Sequence, residues 1–433
     1  MSLTRLDVRG VAAERLPQVL PRPAPHATFP TEAVAAIIAE VGAGGDRAVR
    51  QLTARFDQVQ LHELQVDPAT VAAAPGRIAP ALRRALEEAH RRVLAYHRHE
   101  PEPAGDFVSG GMRVRHLVRP VARAGLYAPG GRAKYPSTVI MSAVPAAVAG
   151  VERLALCVPP SSDGTVAVET LAAAAIAGVD EVYRIGGAQA IAAMALGTES
   201  VPAVDVIAGP GNKFVAEAKR QVAGLVGVPS AFTGPSEVVV VADASVPPAW
   251  AAVDVVVQAE HGPDGQAWLV TWSEAVAEQV VAAVDQLVAA SPRRLDLEST
   301  LGSGGFAVLV DDAEQAVAVA NVVAPEHLEL QVEQAEALLP LVRRAGAVFL
   351  GPYAPASVGD YLAGPNHVLP TARTARFASA LRPDDFRTHI HAVSMDRATL
   401  DDIGPHVVVL AEAEGLPAHA RSVTLRAEAP AGP

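Results

Sequence analysis

Several short segments of this 433-residue chain set ionisable or amide side chains into otherwise apolar sequence. In Val255-Val256-Val257-Gln258-Ala259-Glu260-His261-Gly262 a valine run ends in a polar cluster, and Gln258 and His261, three apart, share a helix face. That histidine also reads as a helix C-terminus satisfied by the last carbonyls. In Ala324-Pro325-Glu326-His327-Leu328 a carboxylate and an imidazole stand side by side ahead of a strand, the pairing that proton transfer near neutrality asks for. An exposed loop pair has the same sequence. Ser357-Val358-Gly359-Asp360-Tyr361 and Gly364-Pro365-Asn366-His367-Val368 follow the last strand of the sheet pattern and offer Asp360 and His367 at its carboxyl edge. Glu412, Glu414 and His419 fall in a late helix and the turn after it, where a solvated helix end is the plainer reading. Together the chain can supply two histidines, an aspartate and an amide oxygen to one zinc or similar divalent ion. No His-Glu-x-x-His motif supports a metalloprotease.

Two turns have the form of ligand crevices. Ile185-Gly186-Gly187-Ala188-Gln189-Ala190 and Ile207-Ala208-Gly209-Pro210-Gly211-Asn212-Lys213 each leave a strand and open a helix, bringing small residues beside helix N-terminal amides. A tight turn needing glycine for its geometry is the alternative for either one. The nearest match to a dinucleotide fingerprint, Gly302-Ser303-Gly304-Gly305-Phe306-Ala307, precedes a strand and opens no helix, which removes the pyrophosphate mechanism.

The elements that must position these groups follow from the patterning. Near-continuous apolar runs at 153–158, 181–185, 204–208, 237–242, 268–272, 306–310 and 347–350 alternate with helical patterns, the mark of parallel sheets covered on both faces. The fold class is therefore α/β, with two doubly wound modules and a mostly helical tail from about residue 372. Half the residues are hydrophobic and 19% are charged, so a core is available and global disorder is excluded. A net charge of −12 without a basic stripe makes the chain a poor candidate for binding nucleic acid or anionic membrane, and neither is expected as a partner. The longest nearly apolar stretch, Val139–Val151, is shorter than the ~18 residues of a membrane span. The opening MSLTRLDVRG lacks a signal-peptide core, so a cytoplasmic protein is expected. The one cysteine, Cys157, excludes an intramolecular disulfide and a cysteine-based zinc cluster.

The segments Gly125-Leu126-Tyr127-Ala128-Pro129-Gly130-Gly131, Gly186–Ala190, Gly209-Pro210-Gly211-Asn212, Gly234-Pro235-Ser236-Glu237, Gln258–Gly262, Pro325-Glu326-His327-Leu328, and Gly359-Asp360-Tyr361 through Asn366-His367-Val368-Leu369-Pro370 carry a resemblance. In order and approximate spacing, from about residue 30 to Arg426, the chain resembles histidinol dehydrogenase. The resemblance implies oxidation of L-histidinol through L-histidinal to L-histidine, the last step of histidine biosynthesis, with two NAD consumed as cosubstrate. It implies one zinc per subunit held by Gln258, His261, Asp360 and His419, and a homodimer in which the partner chain contributes Glu414 and His419. Substrate contacts would fall on Ser236, Gln258, His261, His327, Asp360, His367, Glu414 and His419, and NAD contacts on Tyr127, Gln189 and Asn212. Glu326 and His327 would be the acid/base pair. Phe232-Thr233 departs from the small or proline-like residues expected before Gly234.

With the resemblance, the expected organisation is an N-terminal arm at 1–25, a first Rossmann-like module from 26–125 with 238–371 holding the metal and acid/base residues, a second at 126–237 on the NAD side, and a C-terminal helical domain at 372–433 reaching the partner. Cys157 ends an apolar run and reads as a buried strand residue, not a nucleophile. Aldehyde oxidation is therefore expected to pass through the hydrated aldehyde, with Glu326 activating water and His327 taking the alcohol proton. The competing readings are a related zinc and NAD dehydrogenase of another small alcohol or diol, a zinc hydrolase using Glu326, and a non-catalytic metal or nucleotide binder.

Overall fold

Strands that are apolar on both sides must be covered on both, and two parallel sheets in this computed structural model meet that demand. The structure describes residues 3–21, 29–101, 105–130, 134–229, 236–261 and 265–428, with His261 described for its backbone only. Phe232-Thr233, Gly131, Gly234-Pro235 and Gly262 lie outside the described residues. The strands in chain order are β1 (Thr4–Asp7), β2 (Gly105–Ser109), β3 (Met112–Pro120), β4 (Arg123–Tyr127), β5 (Arg153–Cys157), β6 (Glu181–Tyr183), β7 (Val206–Ala208), β8 (Glu237–Ala242), β9 (Gln266–Thr271), β10 (Gly305–Leu309), β11 (His327–Gln331), β12 (Ala347–Leu350) and β13 (Arg387–Met395). The helices that matter below are α1 (Thr31–Phe56), α2 (Pro80–His99), α3 (Pro136–Ala149), α4 (Gly187–Leu196), α5 (Lys213–Val222), α6 (Pro248–Val257), α7 (Ala313–Val323), α8 (Ala356–Tyr361), α9 (Arg397–Ala413) and α10 (Pro417–Glu428).

The four-stranded sheet runs β6-β5-β4-β7, so the chain steps outward from β4 to β6 and then returns to β4's other side. The six-stranded sheet, β1-β10-β9-β8-β11-β12, repeats this order from β8 and adds β1 at one edge and β12 at the other. Both are doubly wound, with switch points between β4 and β7 and between β8 and β11. On the larger sheet Val238 and Val240 pack with Val255 of α6, while Val239 and Val241 pack with Val317 and Ala320 of α7.

The packing draws the modules differently from the sequence expectation. Val34, Ile37 and Val41 of α1 share a core with Ile191 and Met194 of α4, and Leu86 and Val93 of α2 share one with Val139 and Ile140 of α3. The segment 31–99 therefore covers the four-stranded sheet and does not join 238–371, because a sheet apolar on both faces needs two helical layers. Nor is 1–25 only an arm: β1 pairs along β10, and Leu3, Val8 and Leu16 are buried. Residues 100–120 and 387–433 form a unit of their own, apart from 1–99 and 121–386. In it β13 pairs antiparallel with β3 over nine residues, β2 flanks β3, and α9 packs on α10. The tail is thus not purely helical; β13 is exposed on both faces and lacks the apolar alternation that announces a strand. At Gly302–Gly305 a helix ends at Gly304 and β10 starts at Gly305, so no helix opens there. Among the described residues no helix is long and apolar enough to cross a membrane.

Candidate active site

β8, β11 and β12 begin almost level: His327, the first residue of β11, lies opposite Val238 and Ala347. Glu326 and His327 thus stand at the amino edge of the six-stranded sheet. Asp360 joins them there, and not at the carboxyl edge that its place after the last strand suggested. The reason is the direction of α8. Ala356 at its start donates its N–H to Glu329 Oε1 at 2.8 Å, inside β11, and the helix runs back until Asp360 reaches His327. Gly359 makes this approach feasible, since a Cβ there would strike the Phe349 ring, which lies 6.0 Å from the His327 ring.

The three ionisable groups form a chain. His327 Nε2 lies 3.3 Å from Asp360 Oδ1, and Nδ1 lies 3.7 Å from Glu326 Oε2, which also accepts the Glu237 N–H at 3.2 Å. Burial pushes the Glu326 carboxyl up to about 7, against the opposing pull of His327 and the Glu237 N–H. Burial alone would lower His327, but the charges of Glu326 and Asp360 outweigh it and hold the imidazole up at about 9. Nδ1 is buried and has no hydrogen-bond partner among the described residues. Beside them the Glu237 carboxyl, raised to about 8 first by burial and then by the Glu326 charge, is a buried acid that the sequence did not single out.

Gln258 and His261 open and close a single 3₁₀ turn after α6, so their backbone positions eclipse on one side. The His261 side chain lies outside the described residues. Gln258 is 1% exposed and its Nε2 has no hydrogen-bond partner among the described residues, a state that costs about 1–3 kcal/mol unless another group answers it. Its carbonyl and that of Ser236 both flank Gly265, which places these segments together at the starts of β8 and β9. No group of three or more His, Cys, Asp or Glu among the described residues is placed to hold a metal. Of the four expected ligands, Gln258 and Asp360 are in this region, and His419 belongs to the other unit. There Glu414 caps the end of α9 and His419 lies in the first turn of α10, both exposed. His367 Nδ1 donates to the Asp360 carbonyl at 2.7 Å and its Nε2 lies 3.4 Å from Thr138 Oγ1 on α3, tying the Asp360 loop to the neighbouring module.

The residues expected to contact the dinucleotide gather near the β4/β7 switch point. Tyr127, the last residue of β4, is buried, and its hydroxyl oxygen accepts the Gly187 N–H at 3.0 Å. Gln189 is buried, its Nε2 3.5 Å from Asp57 Oδ2; burial raises that carboxyl to about 6. Asn212 caps α5, accepting the N–H groups of Phe214 and Val215 at 2.9 and 3.2 Å, so its side-chain oxygen serves the fold. Gly209 has φ +104°, and a Cβ on it would run into the Tyr127 carbonyl. Cys157 at the end of β5 is fully buried, and burial drives its thiol far above the usual range, so it carries no thiolate.

Sequence reasoning missed Lys219 on α5, which is 1% exposed and donates to the Gly209 carbonyl. Its spacing within a helix gives no signal; only the packing reveals it. Burial lowers the ammonium from 10.5 to about 7. Between those values the unfolded chain holds the proton and the folded one does not. Lys219 therefore adds stability as pH rises from about 7 toward 10, and that contribution is lost as pH falls through 7. In Lys219→Met the difference in melting temperature from wild type should change steadily across pH 7–9. A constant difference would show an ordinary lysine.

A family model for histidinol dehydrogenase matches residues 21–427. The chain is 49% identical over 391 residues to a histidinol dehydrogenase of Parasynechococcus marenigrum, covering 90% of this chain and 89% of that protein. It is 46% identical over 400 residues to one of Gluconobacter oxydans, covering 92% and 93%. A crystal structure of histidinol dehydrogenase from Elizabethkingia anophelis superposes with a TM-score of 0.93 at 32% identity, covering 98% of both chains.

Proposed function

The chain belongs to the histidinol dehydrogenase family, NAD-dependent oxidoreductases of histidine biosynthesis, and from that footing we propose a zinc-dependent, two-step oxidation of L-histidinol through L-histidinal to L-histidine, with Glu326 and His327 handling the protons. The supporting observation is the Glu326–His327–Asp360 chain at one sheet edge, its first two members buried, with a Gln258 Nε2 that has no hydrogen-bond partner among the described residues in the same region. Gln258, His261 and Asp360, with His419 of the partner subunit, make a nitrogen and oxygen donor set that suits zinc. When bound, the zinc supplies a positive centre that fixes the imidazole and amino nitrogens of the substrate, beside a dinucleotide that accepts a hydride in each oxidation. Ser236, His367 and Glu414 of the partner subunit would complete the substrate contacts. Tyr127, Gln189 and Asn212 would line the dinucleotide crevice, although Asn212 has its amide nitrogen alone to offer beyond its cap.

In the first oxidation His327 takes the alcohol proton at Nδ1 while Nε2 stays on Asp360; the carbinol C–H bond breaks with its electron pair and the aldehyde remains. In the second, water adds to the aldehyde carbon and yields its proton to Glu326. The hydrated carbon then loses its hydrogen with the electron pair and becomes the acid. Positive charge accepted by Asp360 is subtracted from its pull on His327, returning the imidazole toward the neutral form that a base requires. Glu326, raised to about 7, takes and releases a proton near neutral pH at little cost. The cytoplasm suits an activity whose partners are small molecules.

The test is the NADH yield. Two NADH per L-histidinol are expected, with turnover lost on chelation and restored by zinc; simple diols should give little. Full turnover in the presence of a strong chelator would remove the metal from the reading, and a yield of one would remove the second oxidation.

A further inference from the structure

β11 carries His327, Glu329 and Gln331 on one face, the face that packs under α6. Glu329 and Gln331 are 1% and 3% exposed, next to Val240 and Ala242 of the adjacent strand, where aliphatic side chains would serve the core. Instead Gln331 donates from Nε2 to both Asp254 Oδ2 and Glu329 Oε2, each at 2.6 Å. Asp254 is a buried residue of α6. The other Glu329 oxygen accepts the N–H of Ala356, the first residue of α8. Two carboxyl groups sharing one amide in a dry interior cannot both be ionised, so the pair keeps a proton, in line with the raised Glu329 carboxyl. Such a group costs several kcal/mol to desolvate, offset here by the bonds among its members, with the Gln331 Oε1 left without a hydrogen-bond partner among the described residues.

The two ends of this network are placed alike. Asp254 is four residues before Gln258, which caps the end of α6, and Ala356 is four before Asp360 in α8, so each lies about one helical turn from an expected zinc ligand. We propose that Asp254, Gln331 and Glu329 form a buried tie that fixes α6 and α8 to β11 and thereby sets Gln258 and Asp360 at the separation a divalent cation needs. They are positioning residues; none touches substrate. The inference rests on the zinc reading above.

Zinc affinity can be read without turnover, by competition against a chromophoric chelator, with NAD affinity from intrinsic fluorescence as the measure of the other module. Glu329→Ala and Asp254→Ala should bind zinc at least about tenfold more weakly than wild type, with NAD affinity within about twofold. Glu329→Gln keeps an oxygen for the Ala356 N–H, and with the Gln331 amide turned over its oxygen accepts from the new amide and from protonated Asp254, so zinc affinity should return to within about threefold of wild type. Unchanged zinc affinity in Glu329→Ala would overturn the tie. So would zinc and NAD affinity falling together, which would mark a general fold contribution, and so would Glu329→Gln failing as badly as Glu329→Ala. If wild type itself takes up no zinc, the metal reading and this inference fall together.

Discussion

Replacing Glu326 with glutamine should slow oxidation of L-histidinal by about 10²–10⁴-fold while oxidation of L-histidinol to the aldehyde falls by roughly tenfold or less. The asymmetry follows from what each half-reaction asks of the site. Alcohol oxidation moves one proton, which on the proposed reading goes to the His327 Nδ1, an atom with no hydrogen-bond partner among the described residues. Aldehyde oxidation needs water made nucleophilic, since the single thiol, buried and protonated, offers no covalent route to a tetrahedral carbon. Glutamine keeps the oxygen that accepts the Glu237 N–H, so the β8–β11 contact survives and the loss reads chemistry and not collapse. Supplying L-histidinal directly and following NADH separates the steps. Equal losses in both would sink this division of labour.

Two inactive proteins should produce an active mixture. His261→Ala and His419→Ala each remove one expected zinc ligand, and either alone should be nearly inert. If each site takes His261 from one chain and His419 from the other, dissociating and remixing the variants in equal amounts makes half the dimers mixed, each with one intact site. About a quarter of wild-type turnover should return. Mixing would restore nothing if each chain built its own site. The expectation draws on where the residues lie: Gln258 and Asp360 belong to the larger unit, whereas Glu414 and His419 are exposed on the smaller.

The parallel sheets were legible because runs such as 237–242 are apolar without alternation, a pattern that two-sided burial demands. The adjacency of Glu326 and His327 was written in the chain itself. That Asp360 returns to His327 was not: it depends on α8 running back along β11, and its determinants are Glu329, deep in a strand, and Gly359 against Phe349. The assignment of 31–99 was misread for a related reason, since an amphipathic stripe on α1 shows that it packs but not on which sheet. Asn212, expected among the dinucleotide contacts, also caps a helix, a role asparagine favours before a helical run. β13 left no trace because its side chains face solvent on both sides.

Cys157 has a consequence outside the reaction. A thiol sealed at the end of a parallel strand offers nothing to peroxides, alkylating drugs or glutathione, which disable enzymes that oxidise aldehydes through an exposed cysteine. Under oxidative stress its activity should therefore outlast that of thiol-dependent enzymes, and a thiol-directed inhibitor would find no exposed cysteine to bond to.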